Sequence, residues 1–539
     1  MGYPSEMLQL IGEVEKTRSQ RLGQTIPLLS LGKQEDLLRE FHPDYREGIK
    51  RPISAGPNKG DLACNELVDL LESKSRIDPQ QVDLSPELSV DVLVVGGGGG
   101  GAAAALTAHD NGANVLLVTK LRLGDSNTVM AEGGMNVATS PGDSPVKHYI
   151  DTMGGGHFTN NPGIVKTLVL DAPKILQWFE DLGVAFSKNA DGTLQRTWAG
   201  GASYPRIHFV ADYTGMEIMK VLRDEVLNKR IRYLEFSPVI ELILDEEGKC
   251  GGAMILDLET NRIFPIQAKS VILATGGIGR LHIQNFPTTN HYGATADGLV
   301  VAYRAGVRLL HMDSIQFHPT TAAYPEQISG LLVTEVFRGR GVHLVNSKGE
   351  RFINELETRD VVASAIIREV TERGQGVTTP SGMKGVWLDT PLVEMKLGPG
   401  SMERYFAHLL HRFSKFDINI RKEPVLVYPG QHYQNGGLFT DEYGETNIPN
   451  LYAAGEVAGG VHGRNRLGGN SLIDLFIFGR RAGEKAAKKA KSIHLAQLTL
   501  RHVEDFYKAL EEQGIDKNVP SPILLPDYRY ERALEKIQL

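Results

Sequence analysis

Residues 90–119 read VDVLVVGGGGGGAAAALTAHDNGANVLLVT, and no other stretch limits the possible folds so sharply. A β-branched run enters six consecutive glycines, an alanine-rich segment follows, and NVLLVT (114–119) makes a second apolar run. Strand, tight turn, helix and second strand within about thirty residues is the size of one βαβ unit of a dinucleotide-binding sheet. Gly96, Gly98 and Gly101 carry the G-x-G-x-x-G spacing. The first permits the turn, the second lets a pyrophosphate reach the backbone, and the third lets helix and strand pack closely. The helix N-terminus then offers free N–H groups to the phosphates. The acidic residue expected to hold a ribose at the end of the second strand is absent; Thr119 and Lys120 stand in its place. That departure argues against a plain NAD-dependent dehydrogenase.

At 539 residues the chain is too long for one small core, so two or three domains are expected. A third buried strand is read at SVILATGG (270–277) and another at NLYAAGE (450–456), with a mixed helical stretch between about 320 and 430. The chain therefore leaves the dinucleotide domain and returns to it, which creates a cleft at the boundary. Residues 1–88 read as a helical, polar extension packing on the main body or a partner. Those after FGRRAGEKAAKKAKS read as helical, with a basic, solvated face. The net charge of −7 offers no basic face for nucleic acid. Two cysteines, Cys64 and Cys250, cannot hold an iron–sulfur cluster or a c-type haem, and no metal site is read. No apolar run is long enough to span a bilayer and no signal peptide is read. A cytoplasmic location is expected, with membrane attachment through a partner left open.

The glycine run, SNTVMAEGGMNVAT (126–139), ADYTG (211–215), ILATGG (272–277), ADG (296–298), AAGE (453–456) and HGRNRLGGNSL (462–472) occur in one order. Together they resemble the flavoprotein family of fumarate reductases, succinate dehydrogenases, flavocytochromes c and L-aspartate oxidases. The resemblance spans about residues 88–490. It implies an α/β fold: a Rossmann-like FAD-binding domain (89–319 and 431–490) interrupted by an α+β capping domain (320–430), with a short helical C-terminus (491–539). For FAD it implies Gly96, Gly98, Gly101, Thr119, Lys120, Asn127, Thr128, Glu132, Gly133, Gly134, Asp212, Thr275, Gly276, Asp297, Glu456, Asn470, Ser471 and Leu472.

The same resemblance implies a catalytic set. QFHPT supplies His318, TEVFRGRG supplies Thr334, Glu335 and Arg338, ETRD supplies Arg359, HYQNGG supplies His432, and the last motif supplies Arg466. In the family the histidines, the threonine and the last arginine hold a C4 dicarboxylate over the flavin, and the residue matching Arg359 delivers a proton fed through those matching Arg338 and Glu335. The chemistry suits those residue types, because hydride attack on fumarate builds charge on a carboxylate that fixed cations stabilise. Arginine meets a carboxylate with two parallel hydrogen bonds. Taken alone, Glu335 and Arg338 at i, i+3 read as an ordinary helix ion pair.

Several positions depart from the family pattern. Asn127 stands where many respiratory members carry the histidine joined covalently to flavin, so noncovalent FAD and a preference for fumarate reduction are expected. Ala199 occupies the place where L-aspartate oxidases carry a glutamate; Glu217 has no assigned role; Arg464 reads as a structural salt bridge. The electron donor is expected to be a partner protein, an iron–sulfur electron-transfer subunit. Oxidation of aspartate or a substituted succinate, with HPTTAAYPEQ (318–327) as a substrate-setting loop, is the alternative enzyme reading. A flavin electron-transfer subunit with a vestigial site is the third reading.

Overall fold

The computed structural model describes residues 2–516 and 519–526. Strand Leu88–Val95, helix Gly99–Asp110 and strand Val115–Val118 form the βαβ unit, with the strands side by side and parallel. Val92–Val95 and Val115–Val118 are buried throughout, as strands covered on both faces must be. The sheet has the order Arg232–Leu234, Val115–Val118, Leu88–Val95, Ile263–Leu273, Cys250–Leu256, Val239–Leu244. Ile263–Leu273 is the long strand at its centre. Its first half pairs antiparallel with Cys250–Leu256, and its last three residues pair parallel with Leu451–Ala453. The chain's return to this sheet near residue 450 is thus fixed by backbone pairing.

Helix Asn470–Ala490 lies against Gly99–Asp110 with only small residues between them. A Cβ on Gly479 would come within 2.5 Å of the Gly100 carbonyl oxygen, and one on Gly483 within 2.4 Å of that of Ala104. The opposite face carries the Lys/Arg run, where Lys485 and Lys489 pair with Glu445 at 2.7 and 2.8 Å.

The second body corrects the mixed helical reading of 320–430, since its centre is an antiparallel sheet. Ile315–Ala322, Val425–Gln434, Lys384–Leu388 and Leu344–Val345 are neighbours in that order, with Val377–Thr378 beside Lys384–Leu388. Helices Arg359–Thr371 and Ser401–Ser414 accompany it. The first two strands run straight through the residues at which the domains are divided in the sequence. Ile315 and Phe317 lie in the dinucleotide-side core, whereas Ala322 and Val425–Val427 lie in the second core. HPTTAAYPEQ is therefore mostly buried strand, not a loop.

The N-terminal extension serves both bodies. Met7, Ile11 and Val14 on helix Ser5–Leu22 join the second core, and Arg18 and Arg21 each reach Asp389 at 2.9 Å. Leu67, Val68 and Leu71 on helix Asn65–Leu71 join the dinucleotide-side core. After residue 490 the described chain holds helix Arg501–Glu511 and a short strand, Pro520–Ser521, which corrects the all-helical reading of that segment. The rest of that reading lies outside the described residues. Among the described residues no helix is long and apolar enough to cross a membrane.

The helix crossing gives a direct test. Gly483→Val is expected to cost about 2 kcal/mol or more through overpacking against Ala104, read as a lower thermal midpoint.

Candidate active site

A groove of about 1470 Å³ runs along the C-terminal ends of the parallel strands, lined by Val95, Val118, Leu273 and Ala454. The glycine turn forms its floor for steric reasons. Gly96 has φ +118°, and a Cβ there would meet the Ala274 carbonyl oxygen at 2.2 Å. At Gly101 a Cβ would stand 1.8 Å from the Gly96 oxygen, so helix and strand close only on glycine. Gly98 N-caps the helix, whose first N–H groups open into the groove; the N–H of Gly99 is taken by Thr128 Oγ1 at 3.2 Å. Thr275 lines the groove and its buried hydroxyl has no partner. This cradle of free N–H groups, an unused hydroxyl and apolar walls fits a dinucleotide such as FAD.

Gly96, Gly98, Thr119, Lys120, Asn127, Thr128, Thr275, Gly276, Asp297, Glu456, Ser471 and Leu472 all line the groove. Burial pushes the Glu456 carboxyl up to about 7. Its Oε1 accepts from the Gln434 N–H at 3.0 Å and its Oε2 from Asn127 Nδ2 at 3.3 Å. Asn127 is otherwise engaged with Asn290 and the His291 N–H, both at 2.6 Å. Lys120 Nζ is held by Gly293, Thr295 and Asp297.

Five expected cofactor residues stand off the groove. Gly134, at φ +147°, packs against the His208 carbonyl oxygen, and the space around Gly133 is open. Glu132 is buried, and burial together with the Asp212 charge raises its pKa well above the carboxylate range. Asp212 accepts the N–H groups of His408 and Leu409 at 3.2 and 2.9 Å. These free N–H groups follow the break at Phe406 (φ −138°) in helix Ser401–Ser414, so Asp212 joins the two bodies. Asn470 bonds His148 and Thr152 at 2.9 and 3.0 Å.

Where the two bodies meet, the expected catalytic residues converge. His318 and His432 lie on the paired strands Ile315–Ala322 and Val425–Gln434, with ring centroids 4.9 Å apart. Arg359 opens helix Arg359–Thr371, an unfavourable end for a cation. Its Nε and Nη2 donate to Glu335 Oε2 at 2.8 and 2.5 Å. The other oxygen of Glu335 accepts from the Gly200 N–H at 2.7 Å and lies 3.2 Å from Arg338 Nη2. Burial pushes the Glu335 pKa up, but Arg359, Arg338 and the Gly200 N–H outweigh it and hold it at about 2. Burial, followed by the Arg359 charge, lowers Arg466 to about 9. His318 and His432 are driven well below the usual histidine range, first by burial and then by neighbouring charge, so both are neutral. Thr334 is buried just before Glu335.

Gln316 is the residue that the sequence reading passed over. Its Oε1 accepts from Arg359 Nη1 at 3.0 Å and from Arg466 Nη2 at 2.9 Å, so one amide oxygen holds two guanidiniums. Its Nε2 donates to the Arg466 carbonyl at 2.6 Å and to Asn465 Oδ1 at 2.9 Å. The signal was its place two residues before His318, on the same face of a strand. Arg466 also donates to Ser471 Oγ at 3.0 Å and stacks 4.4 Å from the Tyr433 ring centre. Arg464 instead turns outward to Asp313 at 2.8 Å, and Glu217 pairs with Lys220 at 2.7 Å. Ala199 is buried next to Gly200 and adds no charge. Arg338, Arg359 and Arg466 face the single carboxylate of Glu335, leaving an excess of two positive charges in a closed, buried cluster. Such a cluster calls for a dianion. Gln316→Glu is expected to raise the thermal midpoint and to weaken dianion binding, such as that of oxalate, by at least about tenfold, read by calorimetry.

A family model described as FAD binding domain matches residues 91–472. An uncharacterized FAD-dependent oxidoreductase of Methanocaldococcus jannaschii is 42% identical over 79% of this chain and 76% of its own length. One subunit of the fumarate reductase (CoM/CoB) of Methanothermobacter marburgensis is 40% identical over 81% of this chain and 78% of its own. Among solved structures, E. coli quinol fumarate reductase superposes with a TM-score of 0.70 at 31% identity, over 79% of this chain and 74% of that one. The chain thus binds FAD and belongs to the FAD-binding-domain family, among the flavoprotein oxidoreductases of the fumarate reductase and succinate dehydrogenase type.

Proposed function

We propose that the chain reduces fumarate, or a close unsaturated C4 dicarboxylate, to the saturated acid. The observation that carries this reading is the buried excess of two positive charges at the seam between the bodies, beside the cofactor groove. Arg466, held by Gln316 and Ser471, is placed to take one carboxylate. His318, His432 and Thr334 supply neutral donors to the other, which adds hydrogen bonds without further like-charge repulsion. Bound FAD supplies the two electrons as a hydride. The charge that builds on the substrate carboxylate meets cations already fixed in place, so the transition state gains more than the ground state.

Arg359 delivers the proton to the substrate carbon. Glu335, ionised and bonded to it at 2.5 Å, returns a proton to Arg359, and Arg338 at 3.2 Å from the other oxygen resupplies Glu335. Noncovalent FAD is supported by Asn127, whose amide is occupied by three neighbours and offers no imidazole. That arrangement favours the reductive direction. Electrons reach the flavin from a partner carrying iron–sulfur centres, as the name of the Methanothermobacter relative, one subunit of several, suggests. Cys64 and Cys250 are free and buried, in keeping with a cytoplasmic, reducing compartment and with membrane association only through a partner. Aspartate oxidation is disfavoured, because the cluster has surplus positive charge and Ala199 adds no partner for an ammonium.

Three measurements test this. Anaerobically reduced protein mixed with fumarate is expected to reoxidise rapidly, and Arg359→Ala to slow that step by about 100-fold or more. Retention of electrons in the presence of fumarate would exclude the reading. Acid precipitation is expected to release all the flavin into the supernatant; flavin remaining on the pellet would overturn the noncovalent assignment. Turnover by the isolated chain with NAD(P)H alone would sink the partner assignment.

A further inference from the structure

Lys120 is a cation in a groove that receives a diphosphate, yet its charge is spent elsewhere. Its Nζ donates to Gly293 O and Thr295 Oγ1 at 2.8 Å each, and to Asp297 Oδ2 at 2.6 Å. A further acceptor is the backbone carbonyl of Leu524, which also takes the Thr295 hydroxyl at 3.0 Å. An ammonium has only three hydrogens, so this lysine is saturated before any ligand arrives. Its last partner comes from the far end of the described chain.

That C-terminal stretch is fixed at two more points. Pro520–Ser521 pairs parallel with Lys74–Ser75. Ser521 Oγ accepts from Arg304 Nη2 at 2.7 Å, and Arg304 Nη1 meets Glu241, all three residues being buried. Arg304 and Asp297 are the two ends of one helix, Asp297–Arg304. The segment therefore grips one end of this helix directly and the other through Lys120. The Leu524 side chain lies in an apolar cluster with Ile240 and Ile243, on the strand that follows Ser237 and Pro238 of the groove wall.

We propose that Pro520–Leu525 is a clasp on the cofactor groove, holding Lys120 and helix Asp297–Arg304 so that bound FAD is retained. It replaces, with a segment from the other end of the chain, the acidic ribose contact missing at Thr119-Lys120. By linkage, FAD and the docked segment stabilise each other.

The test uses the full chain with and without FAD. Removing FAD is expected to speed amide exchange across 520–526 by about tenfold or more, with helix Ser5–Leu22 as an unaffected reference. Ser521→Ala, which lies off the groove and strips a buried guanidinium of an acceptor, is expected to speed FAD release by about tenfold. Release is read as recovery of free flavin fluorescence. Lys120→Met is expected to do the same. Equal exchange in the two forms, together with unchanged release from Ser521→Ala, would overturn the clasp. Faster release from Lys120→Met alone would also overturn it, since the lysine would then act on FAD directly. Should Lys120→Met fail to fold, exchange and Ser521→Ala decide the matter.

Discussion

One amide oxygen shared by two guanidiniums is the contact on which the rest of the arrangement turns. Arg359 belongs to the second body and Arg466 to the dinucleotide side, and Gln316 sits on a strand that passes between them. Bringing like charges together out of water is costly, and only a neutral acceptor aimed at both makes the closed seam tolerable without satisfying it. The unsatisfied remainder is the binding energy for an anion. Replacing the amide with a carboxylate would make a steadier protein and a poorer site, the usual opposition between stability and function.

Around that contact the fold works to keep two bodies in register. Asp212 takes N–H groups freed by the break in the Ser401–Ser414 helix, and the N-terminal extension places one helix in each core. None of these contacts touches the groove. Each nonetheless sets how precisely the guanidiniums arrive, and positional errors of about an ångström at a reacting centre are expensive.

The dinucleotide half was legible because its physics is local. Gly96 and Gly101 are required by atoms a few residues or one strand away, and the apolar runs mark strands buried on both faces. The convergence of His318, Glu335, Arg359, His432 and Arg466 was legible only by resemblance, since no local rule brings those five segments together. Three features escaped for reasons of geometry. Gln316 is an uncharged side chain whose importance comes from what it touches, Asp212 acts across an interface, and the antiparallel centre of the second body depends on pairings over long sequence separations. Lys120 misled in a different way: its position in the groove was right, but its partners come from beyond residue 490.

The two strands that join the bodies also carry the two histidines. A hinge moves least at its pin. If the second body swings outward about these strands, His318 and His432 stay close to Arg466, while Glu335 and Arg359 travel with the swinging part. The grip on the substrate and the delivery of its proton then become separate events in time. A dicarboxylate is captured at the pin while the entrance is open, and the acid arrives only once the entrance has shut. Order of arrival is thereby written into the connectivity, and no further residue is needed to enforce it.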